Sequence, residues 1–198
     1  MIKTKEDYLF YVQADMASFK VDKWKPSMKY KYPTLYYQRI MRKVEYFMSQ
    51  KEKLWCRLLL KYYRRKMMKV GIMLGLTIYP HNFGPGLKIS HYGSIVVNGK
   101  ARIGKNCTIH SSTNIGQYKG KVPRIGNNVY IGPGAKIYGD IKIGNNVTIG
   151  ANSVVNKDVP DNVTVAGAPA RIIGEGPAVK GPRGADIVRK RMNSTSNS

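Results

Sequence analysis

The chain has 198 residues, and its 34 lysines and arginines against 11 acidic residues give a formal charge of +23. Its length suits one domain with an appendage. The charge alone would allow nucleic-acid binding, but the basic residues are spread along the chain and no nucleic-acid motif is present. We therefore expect no nucleic-acid partner. A positive surface also attracts anionic cofactors, substrates or lipid headgroups.

Three features of the sequence predict a cytoplasmic protein without a membrane span. Cys56 and Cys107 lie far apart in sequence, so reduced thiols are expected rather than a disulfide framework. The first 20 residues carry charges and lack the uninterrupted apolar core of a signal peptide. Lys69 interrupts the apolar patch that ends near Tyr79, which leaves no run long enough to cross a bilayer.

An α-helical N-terminal domain is predicted over residues 1–78. Thr4–Phe19 forms its first helix, because Thr4 is a suitable N-cap and two acidic residues follow in the first turn. The second helix is predicted over Thr34–Met48, whose apolar residues share one face. These apolar residues are Leu35, Ile40, Val44 and Phe47.

A third helix, Lys51–Leu74, combines apolar and basic residues. Its candidate core residues are Leu54, Leu58, Leu59, Tyr62, Tyr63 and Met67. Its cations are Arg57, Lys61, Arg64, Arg65, Lys66 and Lys69. A solvated face is the simplest interpretation of these cations. The alternative is peripheral contact with the anionic inner face of a membrane, which would suit a lipid-linked substrate.

The stretch from Ile103 to Val155 repeats every six residues. This period fits neither a helix nor a lone strand, but it fits a β-solenoid in which three hexapeptides close one triangular coil. Every sixth residue then points inward, and asparagine or glycine supplies the bends. The inward positions are Ile103, Ile109, Ile115, Ile125, Ile131, Ile137, Ile143, Ile149 and Val155, and the asparagine bends are Lys105-Asn106, Asn127-Asn128 and Asn145-Asn146.

Two interruptions of the repeat are the expected places for function, because packing saturates the coils themselves. The first is a two-residue slip across 91–94. The second adds four residues between Ile115 and Ile125, so that Gln117–Arg124 leaves the prism as a loop. Residues 175–198 are rich in glycine and proline and then basic, which predicts a basic tail that is flexible or folded back. We assign it as flexible.

The runs ISHYGSIVV at 89–97 and VAGAPAR at 165–171, with the repeats between them, resemble the hexapeptide-repeat acyltransferases. They are most similar to the serine acetyltransferase branch, which includes members that modify sugars. The resemblance covers residues 80–174. It implies a mainly β fold, a left-handed parallel β-helix over 79–174 behind the small helical domain. It also implies homotrimers with active sites between neighbouring prisms, and in some members trimers that pair through their helical domains.

In that branch a histidine at the position of His91 is the general base. Acyl transfer from a thioester to a hydroxyl needs the hydroxyl proton removed as the oxygen attacks. An imidazole, with an unperturbed pKa of roughly 6.5, suits that task near neutral pH. The thioester is already activated, so direct transfer suffices. His91 is therefore the predicted catalytic residue, and a hydrogen-bonded loop histidine is the structural alternative.

The resemblance also implies an acetyl-CoA site along the coils. Backbone groups there would meet the pantetheine arm, and small residues would leave room for a narrow chain. Pro133 has no N–H, so it would contact the cofactor through its carbonyl or ring. Arg171 would meet a phosphate or remain a solvated charge. The implied cofactor residues are Gly116, Gly132, Pro133, Gly150, Ala151, Ala166, Gly167 and Arg171, and no metal is implied.

The acceptor half departs from the serine acetyltransferase pattern. Ser90-His91 stands where the branch has Asp-His, and Lys121-Val122 precedes Pro123 where the branch has Arg-His. Those family residues hold the charged ends of the amino acid, and a neutral polyol has no such need. We therefore predict acetyl transfer to a hydroxyl of a sugar or cell-surface glycan precursor, with L-serine as the alternative acceptor.

The other acceptor contacts are less constrained by the sequence. No acid lies between Leu76 and Lys88 to orient the base, so Asn82 or a backbone carbonyl would do so. The expected acceptor residues are His110, Asn82 and Lys121, and Asp15, Asp22 and Glu45 of the helical domain could reach the acceptor of a neighbouring chain.

Two rival functions come from other classes. A γ-type carbonic anhydrase would place histidines five residues apart on neighbouring faces, whereas His81, His91 and His110 are separated by 10 and 19 residues. A non-catalytic β-helix scaffold is the second rival. The presence of His91 and of the closing AGAPA segment favours an enzyme over a scaffold.

Overall fold

The computed structural model describes residues 1–195. Within these residues helices precede and follow a β-solenoid in sequence. The helices are α1 (Lys5–Ser18), α2 (Met28–Lys31), α3 (Pro33–Ser49), α4 (Leu54–Leu74) and α5 (Gly184–Thr195). None of the helices in this part of the chain combines the length and the apolar character needed to cross a membrane.

The first and second predicted helices are confirmed as α1 and α3. Thr4 caps α1, because its hydroxyl accepts from the amide of Asp7 at 3.1 Å while the Asp7 carboxylate accepts from the amide of Thr4 at 3.1 Å. Pro33 opens α3, where a missing N–H is harmless. The apolar face predicted for α3 is buried at Leu35, Ile40 and Val44.

The predicted core of α4 is wrong in part. Leu54, Leu58 and Tyr62 are exposed. The helix instead turns Cys56 and Gly71 inward and stacks Tyr63 on Phe47 of α3. Apolar residues occur all round this helix, so the sequence pattern could not select the face that packs.

The strands are β1 (Leu76–Thr77), β2 (Lys88–Ile89), β3 (Ile95–Val97), β4 (Arg102–Ile103), β5 (Thr108–Ile109), β6 (Asn114–Gly116), β7 (Arg124–Ile125), β8 (Tyr130–Ile131), β9 (Lys136–Tyr138), β10 (Lys142–Ile143), β11 (Thr148–Ile149), β12 (Val154–Val155), β13 (Val163–Gly167) and β14 (Ala170–Glu175). They form three faces of a left-handed prism. Sheet A contains β1, β3, β6, β9 and β12; sheet B contains β4, β7 and β10; sheet C contains β2, β5, β8, β11, β13 and β14.

The six-residue repeat is confirmed by the strand register. In sheet C, Ile89 pairs with Ile109, Ile109 with Ile131, and Ile131 with Ile149. All four side chains are fully buried. Each such burial contributes about 1.5–3 kcal/mol, so the prism interior is a continuous apolar column.

Stacked asparagines close the edge between sheets B and C, as the sequence predicts for the bends. Asn106, Asn128, Asn146 and Asn162 have φ between 54° and 58°, the left-handed region that asparagine tolerates. The side-chain amide of each of the first three donates to the side-chain oxygen of the next at 2.9 Å. The bend of every coil is thereby tied to the next one.

A buried ionic cluster joins the helices to the first coil. Arg42 of α3 donates to Asp15 at 2.9 Å, to Glu45 at 3.0 Å, and to the carbonyls of Phe83 at 2.9 Å and Gly84 at 2.8 Å. Arg42, Asp15 and Glu45 are at most 1% exposed. The proposed acceptor contacts of Asp15 and Glu45 are therefore wrong, because Arg42 and first-coil backbone groups occupy them. Another helical-domain candidate, Asp22, pairs with Arg191 at 3.0 Å.

The helical domain, predicted to end at residue 78, shares one hydrophobic core with the solenoid. Tyr37 and Met41 of α3 pack in the same buried cluster as the solenoid isoleucines. The Tyr37 hydroxyl donates to the carbonyl of Ile78 at 3.0 Å. Because β1 already pairs with β3, the solenoid begins at Leu76.

The C-terminal segment folds back, and its assignment as flexible is wrong through Thr195. Val179 exchanges two hydrogen bonds with the hydroxyl of Thr148, each 3.0 Å long. Helix α5 then packs on α1, and Asp186 pairs with Lys105 at 2.7 Å. Residues 196–198 of the predicted tail lie outside the described residues.

Candidate active site

His91 lies on the prism edge between sheets C and A, which we call the C–A edge. It directly follows β2 in the first slip, and its side chain is exposed. Within residues 1–195 its imidazole has no hydrogen-bond partner, and its ring lies 5.9 Å from the ring of His110. The base predicted from the sequence is thus presented to solvent.

His110 occupies the same edge one coil further on. Its ring packs on Tyr130, with centroids 5.0 Å apart. Burial, followed by the nearby charges of His91 and Lys88, lowers the pKa of His110. A neutral imidazole therefore stands beside His91 near neutral pH, where it can donate or accept one hydrogen bond.

Parallel pairing extends the C–A edge towards β13. The amide of Ser90 donates to Ile109 at 3.0 Å, and the amide of Gly132 donates to Ile149 at 2.8 Å, so equivalent residues stack coil on coil. From His91 the edge runs about 19 Å, at roughly 4.8 Å per coil. It contains six predicted cofactor residues, Gly132, Pro133, Gly150, Ala151, Ala166 and Gly167.

The glycines on this edge have a structural reason of their own. A Cβ on Gly132 would lie 2.8 Å from the amide nitrogen of Ala151. A Cβ on Gly150 would lie 2.9 Å from the Cβ of Ala166. Close stacking therefore requires both glycines whether or not a ligand binds, and their cofactor role stays a prediction.

Three of the predicted site residues lie away from the C–A edge. Asn82 is fully buried, donates to Asn98 and Ala101 at 3.0 and 2.8 Å, and accepts from Tyr79 at 2.8 Å. Its prediction as an acceptor residue is wrong, because its amide holds the first coil together. Gly116 ends β6 and Lys121 follows it, so both belong to the edge between sheets A and B, the A–B edge.

Arg171 lies at the far end of the C–A edge. It is exposed on β14, opposite Ala166 of β13. Its guanidinium donates to its own neighbour Ala170 at 3.1 Å. The side chain therefore has donors left for a phosphate.

The A–B edge carries a groove of about 680 Å³ beside the extruded loop. Lys121 of the loop pairs with Asp140 at 2.9 Å, and both side chains are well exposed. The hydrogen bond and charge of Lys121 lower the pKa of Asp140. Basic residues line the remaining wall, namely Lys100, Arg102 and Arg124. This edge therefore offers both signs of charge to a small ligand.

Several residues near these edges escaped the sequence reasoning. Tyr130 and Lys88 flank His110, and the Lys136 ammonium donates to the carbonyl of Ser112 at 2.6 Å beside the C–A edge. Arg102 and Arg124 pair in register on the outside of sheet B. Each of these side chains directly precedes an inward isoleucine. The outward positions of the repeat could therefore have identified them, in addition to the inward positions.

The third histidine lies elsewhere. His81 is half-buried near the ionic cluster, and its amide donates to Glu45 at 2.7 Å. Within residues 1–195, no three histidine, cysteine, aspartate or glutamate side chains lie close enough to hold a metal ion together.

Comparison with known proteins gives a family model and close relatives. The model described as "Bacterial transferase hexapeptide (six repeats)" matches residues 123–157. A serine acetyltransferase of Synechococcus elongatus is 40% identical over 107 residues, covering 52% of this chain and 44% of that protein. A serine acetyltransferase of Mycobacterium tuberculosis is 37% identical over 132 residues, covering 62% and 58%. The chain thus spans about half the length of these relatives.

Solved structures resemble the chain over a larger share. The serine acetyltransferase of Brucella abortus strain S19 is 31% identical, with a TM-score of 0.68, and the match covers 88% of this chain and 72% of that one. The same enzyme in complex with coenzyme A is 30% identical, also with a TM-score of 0.68, covering 88% and 71%. The likeness therefore includes the helical region as well as the coils.

Proposed function

Because the chain belongs to the hexapeptide-repeat acyltransferases, in their serine acetyltransferase branch, we propose that it is an acetyl-CoA-dependent O-acetyltransferase. The observation that carries this proposal is the exposed imidazole of His91 at the head of the C–A edge. The cytoplasm is the proposed compartment, which is supported by two buried, unpaired thiols at Cys56 and Cys107.

His91 acts as general base in the proposed reaction. Its imidazole removes the proton of the acceptor hydroxyl as that oxygen attacks the thioester carbonyl. The carbon–sulfur bond breaks, and the imidazolium returns the proton to the departing thiolate. No residue is acylated. The neutral ring of His110, 5.9 Å away, adds no competing positive charge beside the base.

The C–A edge fits a long, narrow thioester. It is about 19 Å long, and its backbone is bordered by small residues such as Ala151 and Gly167. Lys136 lies beside the edge and Arg171 at its far end, so cations are present where phosphate groups would need them. These residues would hold acetyl-CoA, with its thioester towards His91.

A homotrimer is the proposed assembly. His91 follows sheet C, whereas the loop with Lys121 follows sheet A, so the two lie on different edges of one prism. One chain alone does not bring them together. A neighbouring copy that places its A–B edge against this C–A edge would complete the site, and a threefold arrangement repeats that contact three times. Pairing of two trimers through the helices is a further level of the proposal.

L-serine is the proposed acceptor, which corrects the preference for a sugar drawn from the sequence. The relatives and solved structures above are named as serine acetyltransferases. The exposed pair of Lys121 and Asp140 supports this choice, because an ammonium and a carboxylate 2.9 Å apart can hold the two charged ends of an amino acid. Asp140 lies 19 residues beyond Lys121 in sequence and outside the loop, so the loop sequence alone does not reveal it.

A sugar hydroxyl on a glycan precursor is the second candidate acceptor. The observation in its favour is that no carboxylate within residues 1–195 pairs with His91. A neutral acceptor would leave the charged groups of the A–B edge unused.

Thiol release from acetyl-CoA tests the proposal. We expect turnover with L-serine, and we expect His91→Ala to lower kcat by about 10²- to 10⁴-fold. His81→Asn is the matched control, since it removes a histidine elsewhere and asparagine tolerates the φ of 66° at that position. Undiminished turnover in His91→Ala would contradict the assignment of the base. Turnover with a glycan but not with serine would move the acceptor to the second candidate.

Mixed assemblies test the shared site. Chains with His91→Ala are refolded together with chains in which Lys121 and Asp140 are both replaced by alanine. If one chain supplies the base and its neighbour the acceptor contacts, mixed trimers regain part of the activity that each parent lacks. A site within one chain predicts no recovery. Absence of coenzyme A binding to the wild type would favour a scaffold over an enzyme.

A further inference from the structure

The outer face of α4 has no partner in the described chain. Of its 21 residues only Cys56 and Gly71 are buried. The helix contains no acidic residue and six cations, Arg57, Lys61, Arg64, Arg65, Lys66 and Lys69. Large apolar side chains remain exposed, namely Leu54, Trp55, Leu58, Met68, Ile72 and Met73. An exposed face of this composition is unusual for a soluble helix, which turns its polar residues outward.

Helical spacing places the apolar and basic side chains on one outward line. Leu54, Leu58, Lys61, Arg65 and Ile72 follow each other at intervals of three, four and seven residues, so they stack along one side of the helix. Leu58 is 61% exposed and Ile72 is 76% exposed. This stripe points away from α3, because Tyr63 and Cys56 occupy the opposite side.

A second exposed apolar surface lies where the end of α4 meets α2. Tyr30 of α2 is 80% exposed. It lines an apolar hollow of about 330 Å³ together with Lys29, Val70 and Met73. Val70 follows Tyr63 by seven residues and so lies on the same side of α4, which makes this hollow separate from the stripe.

We propose that the stripe of apolar and basic side chains on α4, the helical face, binds an anionic lipid membrane. A helix lying on a membrane buries leucine, tryptophan, isoleucine and methionine at the boundary of headgroups and acyl chains, while lysine and arginine contact lipid phosphates. The helical face contains both kinds of side chain on one line. Since α4 packs along α3, it would lie in the plane of the membrane surface.

Charge argues against a second copy on this face, so pairing of trimers through the helices would use helical surfaces other than the stripe of α4. A symmetric contact between two α4 helices would place six cations of one chain against six of the other, with no acid on either helix to compensate. An anionic membrane instead offers compensating charge to all of them. A purely electrostatic partner would not use the exposed leucine, isoleucine and methionine side chains. This proposal concerns the helices alone and does not depend on the proposed function.

Vesicle sedimentation with the full chain tests the proposal. Vesicles of phosphatidylcholine alone are compared with vesicles that also contain phosphatidylglycerol, at equal total lipid. We expect the wild type to bind the anionic vesicles and to be released by salt only in part. Each cation near such a surface changes the partition coefficient by roughly fivefold. Lys61→Gln, Arg65→Gln and Lys69→Gln together should therefore weaken binding by about a hundredfold.

Two further variants separate the helical face from general charge. Lys5→Gln, Lys157→Gln and Lys190→Gln together remove the same charge from exposed positions elsewhere, and this control should keep most of the binding. Leu58→Ser with Ile72→Ser keeps every charge and should abolish the salt-resistant part of binding. Both side chains are exposed, so folding is expected to persist, which a thermal melt checks.

Three outcomes would overturn the proposal. The first is failure of the wild type to sediment with the anionic vesicles. The second is an equal loss in the control triple variant, which would make net charge the cause. The third is a change in the sedimenting mass of the lipid-free Leu58→Ser/Ile72→Ser protein with unchanged vesicle binding, which would make the helical face a contact between copies.

Discussion

Ile109 inside the prism and Arg42 at the junction with the helices are equally buried, but their neighbours differ in kind. Ile109 pairs with Ile89 on one side and Ile131 on the other. Removing apolar surface from water stabilises such a column residue by residue. A change at one coil is therefore expected to leave the remaining coils with their own neighbours.

Arg42 is surrounded by buried groups that depend on its positive charge and its hydrogen-bond donors. Two carboxylates and two backbone carbonyls accept its hydrogen bonds. Burial lowers its pKa, but the charges of Asp15 and Glu45 outweigh burial and raise the pKa of Arg42 above its ordinary value. Asp15 also accepts from the amides of Gly86 and Leu87 at 2.9 Å.

Compared with the isoleucine column, the cluster around Arg42 contributes more to the specificity of helix docking than to net stability. A buried ion pair gives little net stability over an apolar substitute, because both charges lose their hydration. Its effect appears when one partner is removed. The junction thus fixes how the helices dock on the first coil, whereas the column supplies most of the stabilising burial.

Arg42→Met should have the largest effect. The substitution leaves two buried carboxylates without a counter-charge, and removing one partner of a buried pair costs about 3–5 kcal/mol. With two carbonyls also orphaned, we expect a loss at the upper end, about 5 kcal/mol. Urea unfolding measures it. Arg171→Met, on the exposed β14, is the control and should change the free energy of unfolding by about 0.5 kcal/mol or less.

Neutralising the whole cluster tests whether uncompensated charge causes the loss of stability in Arg42→Met. Asp15→Asn and Glu45→Gln, added to Arg42→Met, remove the orphaned charges while keeping side-chain oxygens for the backbone amides. The triple variant should be more stable than Arg42→Met alone. If it were less stable, uncompensated charge would not be the cause of the loss.

Ile131→Ala should come second, at about 3 kcal/mol. The side chain is fully buried in the middle of the column, and removing it leaves a cavity that neighbouring coils fill only in part. Val96→Ala, on β3 but 38% exposed, should cost less than about 1 kcal/mol. Chemical denaturation of both variants gives the two values. Equal losses would mean that the outward positions of the coils carry as much stability as the column.

The column could be predicted from sequence because each coil repeats the same requirement. Every sixth residue meets the same inward environment, so Ile125, Ile131 and Ile137, which lie six residues apart, reveal the period directly. Asparagine at the bends is equally local, since the φ of Asn128 favours that residue type. The stacking of the C–A edge below His91 follows from the same period.

The junction could not be predicted because its partners are distant in sequence. Asp15 and Arg42 are 27 residues apart, and Arg42 and Phe83 are 41 apart. Asn82 was predicted for the site because no acid lies between Leu76 and Lys88, and Lys121 because of its place before Pro123, so neither prediction used the repeat that fixes positions in the coils. The return of the tail likewise depends on partners distant in sequence, among them the hydroxyls of Thr148 and Thr164, which the sequence does not single out.

The smallest effect on stability is expected from two histidines, His81 at the junction and His110 on the C–A edge. Burial lowers the pKa of His81 at the junction, and burial followed by the charges of His91 and Lys88 lowers the pKa of His110 on the C–A edge. The unfolded chain, with ordinary values of roughly 6.5, binds protons at a higher pH than the folded chain does. Stability should therefore fall as the pH drops below about 6.5, and it should be unaffected by these groups at about pH 8.

Urea midpoints of the wild type, His81→Asn and His110→Gln at about pH 8 and about pH 5.5 measure this effect on both sides of the ordinary histidine value. Each substitution removes one histidine whose pKa is lower in the folded chain than in the unfolded chain. Each variant should therefore lose less stability on acidification than the wild type. If His81→Asn reduces the loss of stability on acidification more than His110→Gln does, the ionic junction limits stability in acid. If His110→Gln reduces it more, the C–A edge does so. If both variants lost as much as the wild type, the lowered pKa values of His81 and His110 would not be the cause of the acid sensitivity.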